Sequence, residues 1–286
     1  MTPDQTRSED PGAGQPRAWQ GWQLAGSLPE NYERHLVPAL FGPWAAQLVE
    51  LAAPGPGERV LDVACGTGIV ARRAAALVRP GGAVAGLDSN QGMLEVARAA
   101  AAEVRPAIDW RAGDAADLPF PDGAFEVVLC QQGLQFFPDR TAALRQMRRV
   151  LVPEGRLALA MWRPIQHAPG FAALAQALER HAGADVAAVM HAPFAGPDAA
   201  TLRQLLTDAG FAGVRLRIGI GATRFPSPEE FLRRQAASSP LAGPFGALDA
   251  EAQTALARDL DRALQAYVDD DGVALPIQAW LVTAHR

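Results

Sequence analysis

Residues Arg59 to Gly68 read R-V-L-D-V-A-C-G-T-G, and after an Arg- and Ala-rich stretch residues Ala83 to Asp88 read A-V-A-G-L-D. The pattern is a strand, a glycine turn, a helix and a second strand that ends on an acid. Val60, Leu61 and Val63 make a short apolar run suited to a strand buried on both faces. Gly66 and Gly68 let the backbone turn sharply and approach a ligand, and the helix that follows offers unpaired N–H groups to an anion. Asp88, at the end of the second strand, stands where a carboxylate can take both hydroxyls of a ribose.

Gly66-Thr67-Gly68-Ile69-Val70-Ala71 also satisfies the dinucleotide fingerprint, so a nicotinamide or flavin oxidoreductase is one reading. Asp62 argues against it. A carboxylate on the strand that enters the binding turn repels a pyrophosphate and attracts a cation. S-adenosylmethionine (SAM) carries an ammonium and a sulfonium, a carboxylate for the helix terminus and a ribose for Asp88, so each feature of the loop has a partner.

V-L-D-V-A-C-G-T-G resembles the first motif of class I SAM-dependent methyltransferases, and the resemblance continues in order along the chain. Asp88, Ser89, Asn90 and Met93 look like the second motif. Gly113-Asp114-Ala115, with Asp117-Leu118-Pro119-Phe120 after it, looks like the adenine-side motif. Phe125 to Cys130 resembles the fourth strand, and Arg149 to Arg156 the turn into the fifth. The subgroup that it resembles includes ubiquinone and menaquinone biosynthesis methyltransferases. The likeness covers about residues 30 to 162 and the final strand. It implies a cofactor set of Tyr32, Asp62, Ala64, Gly66, Gly68, Asp88, Ser89, Met93, Gly113, Asp114, Ala115, Cys130 and Gln131. Two positions depart from the pattern. Arg156 stands where the fifth-strand turn commonly has a second glycine, and Gln131-Gln132-Gly133-Leu134-Gln135 follows the fourth strand where relatives often carry a histidine pair.

The chain has 286 residues, 49% of them apolar, which suffices for one large domain with insertions. Its net charge of −5 gives no electrostatic footprint for a nucleic acid. All 26 basic residues are arginine, which removes Schiff-base chemistry and the phosphate-loop lysine. Cys65 and Cys130 read as small buried residues rather than half-disulfides. With no signal peptide and no long apolar run, the expectation is a cytoplasmic protein without membrane insertion.

The expected architecture is an α/β doubly wound, mostly parallel seven-stranded sheet with helical lid insertions. Residues 1–17 read as a polar tail and 18–57 as a helical cap, on which Leu36, Leu40, Trp44, Leu48 and Leu51 recur at helical spacing. Residues 58–163 read as the SAM-binding core, with strands near 59–63, 83–88, 108–112, 125–130 and 156–162. Residues 164–197 form a lid insertion, with a helix at 171–180 and then a loop carrying Met190, His191, Pro193 and Phe194. Residues 198–286 complete the core around a helical insertion at 226–272. The resemblance implies an antiparallel final strand.

Methyl transfer from a sulfonium asks the protein mainly to hold a nucleophile in line, so a base is needed only where the acceptor must lose a proton. His35, His167 and His191 fall in the cap and lid and are the candidate bases, whereas His181 and His285 read as solvated. Gln135, Phe136, Trp162, Met190 and Phe194 are the candidate acceptor-binding residues, which suit an apolar or aromatic metabolite. No metal-ligand spacing occurs in the sequence. The leading expectation is a SAM-dependent methyltransferase with a small-molecule substrate. The alternatives are a SAM-binding cyclase or decarboxylase that does not methylate, and a non-catalytic SAM-binding partner.

Overall fold

The computed structural model describes residues 24–286; the expected 1–17 tail and the start of the cap lie outside the described residues. The first elements among the described residues are α1 (Leu28–Asn31), a π-helix (Tyr32–Phe41) and α2 (Gly42–Ala52). The core follows as β1 (Arg59–Val63), α3 (Ile69–Leu77), β2 (Ala83–Asp88), α4 (Gln91–Ala100), β3 (Ile108–Ala112), β4 (Phe125–Gln131), α5 (Arg140–Val150) and β5 (Leu151–Trp162). The first insertion is α6 (Pro169–Ala182) and α7 (Ala184–His191), after which come α8 (Ala199–Asp208) and β6 (Ala212–Phe225). The second insertion holds α9 (Pro228–Ser238), α10 (Ala242–Gly246) and α11 (Ala250–Leu264), and the chain then forms the hairpin of β7 (Val268–Asp269) and β8 (Gly272–His285).

The sheet runs β3-β2-β1-β4-β5-β8-β6, seven strands across, with β7 as a short eighth paired to β8. The first five are parallel, and β8 lies antiparallel to both β5 and β6. Successive residues of the buried strands serve opposite faces, as the pleat requires. Val60, Val127, Leu129 and Ala158 pack with the cap and the insertions. Leu61, Val128, Leu157 and Leu159 pack with α5 and α8.

Two sequence expectations change. β5 begins at Leu151 rather than 156, because Leu151 already pairs with Phe125 while Val152 to Gly155 bulge out before Arg156 pairs with Val127. Glu154 turns that bulge in the left-handed region at φ 67°. Met190 and His191 end a helix, and a 3-10 turn follows at Ala192–Phe194 where a loop is expected. Asp270 and Asp271 form the turn between β7 and β8, and Asp269 at the end of β7 is paired with Arg224 at 2.6 Å.

The cap is a helix of two pitches. Pro38 has no N–H to give, and its ring crowds the carbonyl four residues back. The wider π turn accommodates both, and it closes with the Gly42 N–H on the Val37 carbonyl five residues earlier. Leu36 and Leu40 of the π-helix and Trp44 and Leu48 of α2 are all buried.

Candidate functional site

A cavity of ≈ 500 Å³ lies across the carboxyl ends of β2, β1, β4 and β5, under the cap and the two insertions. In an open α/β sheet this is where ligands bind.

The glycine turn is held in left-handed backbone at Ala64 (φ 56°), Gly66 (φ 54°) and Gly68 (φ 83°). The two glycines serve different purposes. A Cβ on Gly66 meets nothing within 4 Å, so its backbone is open to a ligand. A Cβ on Gly68 would stand 2.3 Å from the Trp110 ring, so Gly68 seats the turn against β3 and does not line the cavity.

Asp88 joins the turn to the second strand. One carboxylate oxygen accepts the Gly66 N–H at 2.7 Å and the other accepts the Asn90 N–H at 2.8 Å. Asp88 faces the cavity with Ser89, Met93, Gly113, Asp114 and Ala115. Asp62 lies behind the turn, fully buried, where it accepts the Ala71 N–H at 3.0 Å at the start of α3. Burial, with the charge of Asp88 beside it, pushes its carboxyl up to about 8. Burial also raises Asp88.

The far side of the cavity is aromatic. Phe41 stacks on Tyr32, with ring centroids 4.8 Å apart, and lies 6.4 Å from Trp162. Trp162 meets Trp44 edge-on at 5.3 Å and Phe194 at 6.4 Å, and Phe194 leans on Phe171 at 5.3 Å. Burial, with the Asp88 charge as the next cause, holds the Tyr32 phenol well above its ordinary range, so it remains a neutral hydroxyl.

Between the two sides stand glutamines. Gln131 donates its amide to the Phe41 carbonyl at 3.0 Å. Gln135 donates to Gln132 at 3.5 Å. Gln235, from α9, lines the same cavity.

The expected cofactor residues Tyr32, Ala64, Gly66, Asp88, Ser89, Met93, Gly113, Asp114, Ala115 and Gln131 line one cavity, while Asp62, Gly68 and Cys130 stand behind it. The expected acceptor residues Gln135, Phe136, Trp162, Met190 and Phe194 line it as well. The histidines do not. His35, His167 and His191 are all absent from the lining. His35 is turned toward Arg234 and Arg233, and burial and these charges lower it; His167 sits on a 3-10 turn, lowered by burial and by Arg163; His191 is exposed. Phe41, Phe171 and Gln235 line the cavity without having been singled out. Gln235 had a signal, since it is a polar residue in the buried stripe Phe231, Leu232 and Ala236 of α9.

The cap is fastened to the site from several sides. Arg72 on α3 pairs with Glu33 at 2.7 Å, Thr223 on β6 donates to the Ala39 carbonyl at 2.7 Å, and Asn31 donates to the Ala237 carbonyl at 3.0 Å.

Residues 61–159 match the methyltransferase domain family. The chain is 42% identical over 138 residues to 2-phytyl-1,4-naphtoquinone methyltransferase of Synechococcus elongatus, covering 47% of this chain and 59% of that protein. It is 32% identical over 198 residues to the ubiquinone/menaquinone biosynthesis C-methyltransferase UbiE of Shewanella frigidimarina, covering 60% of this chain and 73% of the relative. Its fold is like that of Haemonchus contortus phosphoethanolamine N-methyltransferase 2, solved in complex with S-adenosyl-L-methionine, at TM-score 0.57 and 18% identity, over 90% of this chain and 56% of that one. Among the described residues no helix is long and apolar enough to cross a membrane.

Proposed function

Because this chain belongs to the class I SAM-dependent methyltransferases, we propose that it binds SAM at the glycine turn and methylates a small apolar or aromatic molecule held against the cap and lid. One observation carries the reading: a single cavity joins the Gly66–Asp88 cradle to the aromatic wall of Phe41, Trp162, Phe171 and Phe194.

The residues fit the cofactor. The open side of Gly66 admits it, Asp88 has carboxylate lone pairs left for ribose hydroxyls, and Asp114 with the Ala115 backbone can take an adenine edge. The raised carboxyls of Asp62 and Asp88 suit a ligand with a net positive charge. When bound, SAM supplies a methyl group on sulfonium. The chain's own part is positional. The cap and the insertions exclude water, the aromatic wall fixes the plane of the acceptor, and the glutamines take its polar atoms. No histidine is among the residues that line the cavity, so no imidazole is placed there to take a proton from the acceptor. The relatives named for 2-phytyl-1,4-naphtoquinone and for ubiquinone/menaquinone biosynthesis support an acceptor of this flat, apolar kind.

The test is incubation with methyl-labelled SAM and a metabolite extract of the source organism, read by mass spectrometry, with S-adenosylhomocysteine measured alongside. A labelled product with matching S-adenosylhomocysteine is expected. Consumption of an acceptor without S-adenosylhomocysteine would point to the cyclase or decarboxylase reading.

A further inference from the structure

Four glutamines contribute to this one cavity, and each has an amide atom that the protein leaves buried and unpaired: Gln131 Oε1, Gln132 Nε2, Gln135 Oε1 and Gln235 Nε2. Gln132, Gln135 and Gln235 are 6%, 5% and 1% exposed. Buried polar atoms of a native protein are nearly always paired, and those left unpaired beside a cavity point to a ligand.

The orientation of these amides is constrained. Gln131 donates to a backbone carbonyl, which can only accept, so its oxygen is the atom that remains. Gln132 and Gln135 are bonded to each other, so whichever way the two amides are turned, the pair offers one donor and one acceptor. Gln235, whose amide has no partner to fix its orientation, adds a further unpaired polar atom from the second insertion.

Charge is missing from this part of the site. The charged residues that line the cavity are Asp88 and Asp114, at the β2 and β3 ends, whereas the glutamines stand after β4 and on α9 near Trp162 at the end of β5. A carboxylate or phosphate on the acceptor would be desolvated with no cation among the lining residues, since Arg140 is spent on the Leu134 and Gln135 carbonyls, and two amide oxygens would face it.

On the reading given above, we propose that Gln235 and the Gln132–Gln135 pair are the specificity determinants of the acceptor site, and that they select an uncharged planar molecule bearing a hydroxyl. A hydroxyl gives one donor and two acceptor lone pairs, which answers amide donors and amide oxygens together. Gln235 reads the acceptor from an insertion, outside the residues 61–159 that match the domain family.

The test is calorimetric binding of three probes, 2-naphthol, naphthalene and 2-naphthoate, to the protein saturated with S-adenosylhomocysteine. 2-Naphthol should bind about tenfold tighter than naphthalene, the effect of one or two hydrogen bonds to buried groups, and 2-naphthoate weakest. Gln235→Met and, separately, Gln132→Met should shrink the naphthol-to-naphthalene ratio while leaving naphthalene and S-adenosylhomocysteine affinities in place. S-adenosylhomocysteine affinity also shows that each variant is folded. Equal binding of the three probes, or an unchanged ratio in both variants, overturns the proposal while leaving the methyltransferase reading intact. Failure of the unaltered protein to bind S-adenosylhomocysteine or SAM would instead remove that reading.

Discussion

Arg156 grips Glu58 with both ends of its guanidinium, at 2.8 and 2.7 Å, and the same group donates to the carbonyls of Ala52 and Ala53 at 2.6 and 2.8 Å. These carbonyls are the last of α2, where a helix has acceptors without intrahelical partners and a partial negative charge. The residue that departs from the family's glycine pair thus closes the end of the cap helix and ties it to β5. Glu58 in turn accepts the Gly55 N–H at 2.7 Å, which fixes the Pro-Gly turn between cap and core. Its carboxyl is held below the usual range, first by its hydrogen bond with Arg156.

Arg156→Gly, which restores the glycine of the family pattern, should therefore lower stability by about 1–2 kcal/mol, the cost of a lost helix cap and charge-assisted bonds on a partly exposed pair. Urea unfolding measures it. A stability equal to that of the parent would mean that these bonds are worth nothing in solution.

Asp88→Ala should weaken SAM binding by about ten- to a hundredfold, as expected when charge-assisted bonds to a ligand are lost. It should also loosen the turn, since Asp88 holds the Gly66 N–H. Equilibrium dialysis against labelled SAM reads the first effect, and unchanged affinity would refute the ribose assignment.

Asp62 is a neutral acid in the folded protein up to about 8 and a carboxylate in the unfolded chain above 3.8. Across that window the folded state binds the extra proton, so stability of the ligand-free protein should fall as pH rises through it, and Asp62→Asn should flatten the slope. A cationic ligand opposes the shift. SAM binding near neutral pH should release protons, which calorimetry in buffers of different ionisation heat would detect; proton uptake would contradict the assignment.

Gly219 of β6 lies under the Trp44 ring, and a Cβ there would come within 2.7 Å of it and 2.8 Å of Leu281. Gly219→Val should cost about 1–3 kcal/mol through overpacking and should raise the Kd for SAM by displacing the cap. Thermal unfolding with and without SAM separates the two effects.

His35→Ala, His167→Ala and His191→Ala should each leave turnover of the labelled acceptor within about twofold, since the removal of a general base would cost a hundredfold or more. A loss of that size in any one variant would place its imidazole in the reaction.

The parallel core was legible because its strands are apolar runs cut off by Gly, Pro and acidic residues, and the ordered motifs located the cavity. Arg59–Val63 and Ala83–Asp88 fall where the sequence puts them. The start of β5 was hidden because a bulge at Val152 to Gly155 looks like an ordinary turn. Phe41 was hidden by the π-helix. Nine residues separate it from Tyr32, and a regular helix at 3.6 residues per turn would set them on opposite faces, whereas here they stack. Proton chemistry marks His35, His167 and His191 as candidates, but it says nothing about the direction in which the backbone turns them. Gln235 belongs to an insertion whose packing partners lie far away in sequence, so only the folded chain brings it to the same cavity as Gln132.

The Thr223 hydroxyl that supports the Ala39 carbonyl lies 184 residues further along the chain, and Trp44 rests on Gly219 and Gly221 of the same strand. During synthesis the cap therefore leaves the ribosome long before the surface it sits on exists. The Gly66 turn can form early, but the wall that closes over it waits for β6. Competence to hold a ligand in the closed cavity thus comes late in translation, and a nascent chain halted before residue 212 should be unable to retain one.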